Sequence, residues 1–357
     1  MKIKLKIKKQ RKVKNMSLNS SLKIDKKILL ENLEKTIQKY DLIALKKKGE
    51  NYLYDYIQKS KEIIFKYHPT VLSPKKFFFP KEEVLFEYTA DGEVTPKSET
   101  KPTILFGIRP CDVNGIHILN EAFAESKGDP NYLAKKENSL VIGLDCEKLC
   151  DENAFCYRVK SQNSTKGADL FLHDLGSEFA LTIITDKGKK FAQEYLQTSP
   201  GSAQALAKYQ ATKEKSFSLV APFRDLDKLP EIFSKNQNHV IWKEKGSKCL
   251  SCGSCIMVCP TCYCFDVADE FALNLQKGER LRRWDACMLS SFAEVAGGEN
   301  FRDKAENRLK HRLNRKFNYL MKKHGQAVCV GCGRCVRACL ADINPKLIVK
   351  VLTGEQE

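Results

Sequence analysis

Cys249-Leu250-Ser251-Cys252-Gly253-Ser254-Cys255-Ile256-Met257-Val258-Cys259-Pro260 and Cys329-Val330-Gly331-Cys332-Gly333-Arg334-Cys335-Val336-Arg337-Ala338-Cys339-Leu340 decide how this chain is read. Both runs are C-x2-C-x2-C-x3-C. Three thiolates at this spacing wrap one face of a [4Fe–4S] cube, and the fourth reaches the other cube of a pair. The first cluster is therefore expected on Cys249, Cys252, Cys255 and Cys339. The second is expected on Cys329, Cys332, Cys335 and Cys259. Gly253 and Gly333 fall where the backbone must bend tightly around sulfide. Zinc is the competing reading, but it needs only four of the eight thiolates and usually takes pairs that lie closer in sequence.

Composition bounds the rest. A chain of 357 residues suits a protein of about two domains. No apolar run is long enough for a membrane span. Fifteen cysteines are an odd count. No export signal is apparent and most stand at metal spacing, so a reducing cytoplasm is expected rather than disulfides. The formal charge is +17, but Lys2, Lys4, Lys6, Lys8, Lys9, Arg11, Lys12 and Lys14 supply eight of those charges. Residues 1–15 read as a disordered basic leader, with Met16 an alternative start. Three clusters at a net −2 each would bring the body to about +3. No aromatic residues interleave with the basic ones, so nucleic acid is not an expected partner.

Residues 16–240 read as an α/β or α+β domain, and residues 241–357 as an α-helical, ferredoxin-like dicluster domain with a long insertion. In the first part, Ile104 to Ile108, Ser139 to Leu144 and Leu170 to Ile184 predict strands. Lys23 to Lys48, Asp112 to Glu125 and Lys189 to Leu196 predict helices. The segment from Thr198 to Gly201 and the stretch after it read as surface connections. The insertion predicts a helix over Phe301 to Lys323, with Ala305, Leu309, Leu313, Phe317 and Leu320 as its apolar stripe. Arg302, Arg308, Lys310, Arg312, Arg315, Lys316, Lys322 and Lys323 crowd its other sides. They form a solvated face, a docking surface for an acidic partner, or a screen for cluster charge.

No G-x-G-x-x-G follows a strand, and there is no P-loop or nucleophile elbow. His68, His117, His173, His239, His311 and His324 are scattered. The expected chemistry is movement of electrons, not of substrate bonds.

Further landmarks are Ser73-Pro74-Lys75-Lys76-Phe77-Phe78-Phe79-Pro80, Gly107-Ile108-Arg109-Pro110-Cys111-Asp112 and Gly143-Leu144-Asp145-Cys146, with Cys150 and Cys156. Cys259-Pro260-Thr261-Cys262-Tyr263-Cys264-Phe265, Trp284-Asp285-Ala286-Cys287-Met288 and Ala296-Gly297-Gly298 come next, followed by the second cysteine run. In this order they resemble the iron–sulfur beta subunits of cytoplasmic nickel–iron hydrogenases (sulfhydrogenases), and the related iron–sulfur subunits of anaerobic sulfite reductases. The resemblance implies a non-catalytic electron-transfer subunit. Its implied partners are an FAD/[2Fe–2S] NAD(P)H reductase subunit, together with either hydrogenase small and large subunits or a sirohaem sulfite reductase subunit. Leu340 departs from the ferredoxin pattern, which usually has proline there. A regulatory or structural iron–sulfur protein is the alternative of another class.

Seven cysteines lie outside the runs. Cys111 and Cys146 each follow a predicted strand. With Cys150 and Cys156 they make the four thiolates of a third [4Fe–4S] cluster, against buried free thiols or zinc. Cys262, Cys264 and Cys287 either pack beside the dicluster core, the favoured reading, or hold another centre with a non-cysteine ligand. Asp112, Asp266 and Asp285 stand near the extra cysteines and can contribute. Arg109 is expected to donate to a cluster.

Overall fold

The computed structural model describes residues 22–66, 69–97, 100–218 and 220–355. The basic leader lies outside them.

Twelve strands form two sheets among the described residues. They are β1 (Leu22–Asp25), β2 (Asp41–Lys48), β3 (Asn51–Tyr56), β4 (Glu82–Thr89), β5 (Val94–Pro96), β6 (Thr103–Ile108), β7 (Ser139–Leu144), β8 (Leu170–Asp174), β9 (Glu178–Ile183), β10 (Ser199–Pro200), β11 (Phe265–Phe271) and β12 (Lys277–Trp284). The larger sheet runs β10-β1-β9-β8-β7-β6-β2-β3. Its centre, β2-β6-β7-β8, is parallel. Strands β6 and β7 are apolar almost throughout because both faces of a parallel sheet are covered. Side chains alternate between the two faces. Ile104 and Phe106 join a core with Leu29 and Leu33 of helix α1 (Lys26–Thr36), while Leu105 joins Val113 and Ile116 of helix α2 (Pro110–Phe123).

Helix α3 (Pro130–Glu137) precedes β7, and α4 (Asp186–Tyr195) follows β9. Two sequence expectations change here. The helix expected over Lys23 to Lys48 ends at Thr36. Leu42, Ile43, Ala44 and Leu45 are buried in succession, as a central strand requires. The stretch after Gly201 is no surface connection. It forms α5 (Ala203–Phe217), capped by the Ser202 hydroxyl, which accepts from the Ala205 amide.

The smaller sheet, β11-β12-β4-β5, is antiparallel. It unites strands from before and after residue 240. The buried Arg282 of β12 fixes the union by donating to Glu83 of β4 and to Asp129.

After residue 228 the chain is mainly helical: α6 (Leu229–Lys235), α7 (Ile241–Gly246), α8 (Ser254–Met257), α9 (Ala305–Asn314), α10 (Leu320–His324), α11 (Arg334–Arg337) and α12 (Pro345–Thr353). A π turn, Arg315–Tyr319, joins α9 to α10. The expected stripe is partly confirmed: Leu309, Leu313 and Phe317 are buried with Phe233, Trp242, Ile348 and Val349. The basic side of this helix is not uniformly solvated, since Arg308, Arg312 and Lys316 are buried as well.

Candidate iron–sulfur centres

The short helices α8 and α11 pack against each other. Each begins after a glycine in the left-handed region, Gly253 at φ 75° and Gly333 at φ 73°. Their crowding comes from protein: a Cβ on Gly333 would lie 2.7 Å from the Asn153 backbone, and one on Gly253 would lie 2.9 Å from Ala286 Cβ. Around the helix pair lie two voids. One is lined by Cys249, Cys252, Cys255 and Cys339. The other is lined by Cys259, Cys329, Cys332 and Cys335. Each run thus gives three thiols to its own void and lends its fourth to the other. Leu340, in place of the usual proline, is strongly exposed at the rim of the first void.

Arg312 reaches the walls of both voids. It is 4% exposed, and its Nε has no hydrogen-bond partner among the described residues. A buried guanidinium with an unsatisfied donor is costly unless an anion lies beside it. Burial opposes its charge, but Cys255, Cys335, Cys262 and Cys259 outweigh burial and hold its pKa well above the usual value. Lys316 is held above the ordinary lysine range in the same way, by Cys259, Cys262 and Cys329 against burial. Burial above all pushes the thiols of Cys255 and Cys332 up to about 11. Metal coordination deprotonates thiols outright, and thiolate-held cubes carry the negative charge that these cations lack. The residues fit such a group. Among the described residues, no three His, Cys, Asp or Glu side chains gather for a single metal ion.

Cys111 lies in the first turn of α2, directly after β6, and Cys146 closely follows β7. Both therefore stand at the carboxyl ends of parallel strands, where α/β sheets form crevices. Cys150 and Cys156 complete the group. The thiols of Cys146, Cys150 and Cys156 lie within electrostatic reach of one another, and Cys111 within reach of Cys146. Burial raises all four, and Cys332 of the second run is close enough to raise Cys111, Cys150 and Cys156 further. The docking is tight. Gly331 has φ 63°, and a Cβ there would lie 2.6 Å from the backbone of Phe155 and Cys156. Phe155 N–H donates to Gly331 O at 2.7 Å.

Neighbouring polar residues do other work than expected. Asp112 accepts both bonds of the Arg334 fork and is committed to that pair. Asp285 accepts from the Ala286 amide. Asp266 sits on exposed β11. Arg109 donates to the carbonyls of Asp145 and Phe65, bracing the loops that carry Cys146, although its charge also favours the Cys146 thiolate.

Sequence scanning missed a buried triad. Asp145 receives Lys213 Nζ at 2.5 Å and lies 3.0 Å from His173 Nδ1. Burial opposes ionisation of Asp145, but these two partners prevail and hold it below the usual carboxylate range. The three come from separate elements and leave no local pattern.

Cys262, Cys264 and Cys287 line a third void of about 260 Å³ with Tyr263, His311, Arg312, Arg315 and Lys316.

The dicluster geometry has a counterpart among known proteins. Residues 248–343 match the 4Fe-4S dicluster domain family, so the C-terminal part is a domain for two [4Fe–4S] clusters. Across 310 residues the chain is 32% identical to sulfhydrogenase 2 subunit beta of Pyrococcus furiosus, covering 87% of this chain and 90% of that one. The chain belongs to the family of iron–sulfur beta subunits of such hydrogenases. No solved structure matches it. Among the described residues, no helix is long and apolar enough to cross a membrane.

Proposed function

We propose that this chain is the relay subunit of a cytoplasmic nickel–iron hydrogenase. It carries single electrons from or to an FAD/[2Fe–2S] NAD(P)H reductase subunit on one side, with the hydrogenase small and large subunits on the other. The observation that supports this best is the exchange of fourth cysteines between two adjoining voids, with the unpartnered Arg312 Nε beside both. One cube takes Cys249, Cys252, Cys255 and Cys339, and the other takes Cys329, Cys332, Cys335 and Cys259. A third takes Cys111, Cys146, Cys150 and Cys156, beside Cys332. The adjacency of the three sets suits stepwise transfer. The chain supplies ligands, spacing and buried cations, and it breaks no substrate bond itself.

The test uses the assembled complex. Cys335→Ser should abolish NAD(P)H-linked hydrogen turnover. Activity with a small dye that reaches the nickel–iron subunit directly should be spared. Unchanged NAD(P)H-linked turnover in a variant proven to lack the cube would overturn the relay.

A further inference from the structure

The cavity lined by Cys262, Cys264 and Cys287 is used by none of the three sets above. Cys262 and Cys287 are buried, and Cys264 is half-buried. The void they line, about 260 Å³, is roomier than the voids of the two ferredoxin sets, about 30 and 20 Å³. Cysteines that serve only as apolar filling leave no void, because interiors are close-packed. The wall is also cationic, with Arg312, Arg315 and Lys316. These cations sit among sulfurs: Cys259, Cys262 and Cys329 act on Lys316, and Cys255, Cys335 and Cys262 act on Arg312.

The loop is held firmly in this arrangement. Lys75 Nζ donates to Cys262 O at 2.9 Å, Arg315 donates to the Tyr263 hydroxyl at 2.9 Å, and Lys316 donates to Thr261 Oγ1 at 2.5 Å. Asp285 N–H donates to Cys264 O at 3.0 Å, which ties the segment carrying Cys287 to the segment carrying Cys262 and Cys264.

We propose that Cys262, Cys264 and Cys287 hold a further [4Fe–4S] centre, whose fourth iron has no cysteine ligand and lies toward His311. Three thiols around a void, rather than converged on a point, match a cube and not a single ion. His311 is the nitrogen donor on the wall. Burial and the charges of Arg302 and Arg315 hold it down at about 4, so its imidazole is neutral near pH 7.

The site extends the relay and rests on that reading for its role. Cys262 N–H donates at 3.5 Å to the carbonyl of Cys259, a ligand of the second ferredoxin cube in that reading. A single electron passes between neighbouring centres, one oxidised as the other is reduced, and no bond is broken. Phe265, 40% exposed, also lines the cavity, which puts this centre near the surface.

The test uses full-length protein prepared anaerobically. Ferricyanide should take one electron from the centre, which then releases its open iron as Fe2+ and becomes a three-iron cluster. The wild type should therefore show a three-iron resonance, reversed by Fe2+ and a reductant. Cys262→Ala/Cys264→Ala/Cys287→Ala should lose that resonance and about four irons and four sulfides per chain, while the ferredoxin signals persist. Should the triple variant not fold, Cys264→Ala alone, at a half-buried position, should lose the same resonance. Unchanged iron, or stoichiometric zinc lost with these cysteines, would overturn the site. Retained ferredoxin signals in either case leave the relay reading to stand or fall on its own test.

Discussion

Arg334 binds Asp112 through two hydrogen bonds, 2.6 and 2.8 Å long, with both side chains almost wholly buried. Arg334 lies between two cysteines of the second run, and Asp112 follows Cys111. The pair clamps the N-terminal cysteine set to the dicluster domain. Thr70 completes the fork by accepting through its carbonyl and hydroxyl oxygens. Removing one partner of such a pair strands a buried charge. Asp112→Asn should cost about 3–5 kcal/mol in anaerobic denaturation. Asp112→Leu/Arg334→Met should recover much of that loss.

Cluster content separates the ligand sets. Cys255→Ser and Cys335→Ser should each remove about four irons from a different ferredoxin cube and weaken folding of the whole C-terminal domain, because metal binding and folding are coupled. Cys111→Ser should remove about four irons while the ferredoxin signals stay intact. Iron and sulfide analysis with electron paramagnetic resonance checks all three.

Gly331 is a tight contact between the second run and the loop carrying Cys156. Gly331→Ala adds a Cβ at a left-handed residue and against backbone that cannot swing aside. Expected is a loss of about 2–3 kcal/mol in stability. The N-terminal cluster signal should weaken before the ferredoxin signals in an iron-release time course.

Arg312 lines the voids of both ferredoxin cysteine sets. A nearby buried cation stabilises the reduced, more negative cluster. Arg312→Met should therefore lower both ferredoxin potentials, by an amount corresponding to roughly 1–2 kcal/mol each. A redox titration followed by paramagnetic resonance reads this directly. A shift confined to one cube would contradict the shared placement.

Asp145 gives a pH signature. Its folded pKa lies below the ordinary aspartate value. Its contribution to stability is thus complete above that ordinary value and lost as pH falls through the folded pKa. Asp145→Asn should be less stable than the wild type at about pH 5 to 7. The gap should close in more acidic solution, as monitored by denaturant midpoints.

The sequence was most legible where chemistry is local. The two cysteine runs announce their pairing because ligand spacing is a short-range constraint. Strands β6 and β7 announce themselves because a doubly covered strand is apolar at nearly every position. The smaller sheet left no such mark. Its strands mix charged and apolar residues without a regular alternation, and it is held by partners such as Arg282 and Glu83, 199 residues apart. The basic insertion helix was legible as charge but not as geometry. Nothing in a count of lysines and arginines tells Arg312, buried among thiols, from Lys322 on the surface. The cavity beside Cys262 is likewise a packing outcome, made by helix α9 and the π turn lying across the loop.

That π turn bears on how the domain can change over generations. A π turn amounts to one residue more than a regular helix would need. The Lys316 carbonyl receives the Val328 amide at 3.0 Å, one residue before Cys329. A one-residue deletion within 315–319 would restore a regular helix and remove that anchor for the second cysteine run. The insertion can therefore lengthen or shorten in its loops around Leu273 or Gly297, where exposed chain tolerates it. Through this helix its length is fixed to the residue.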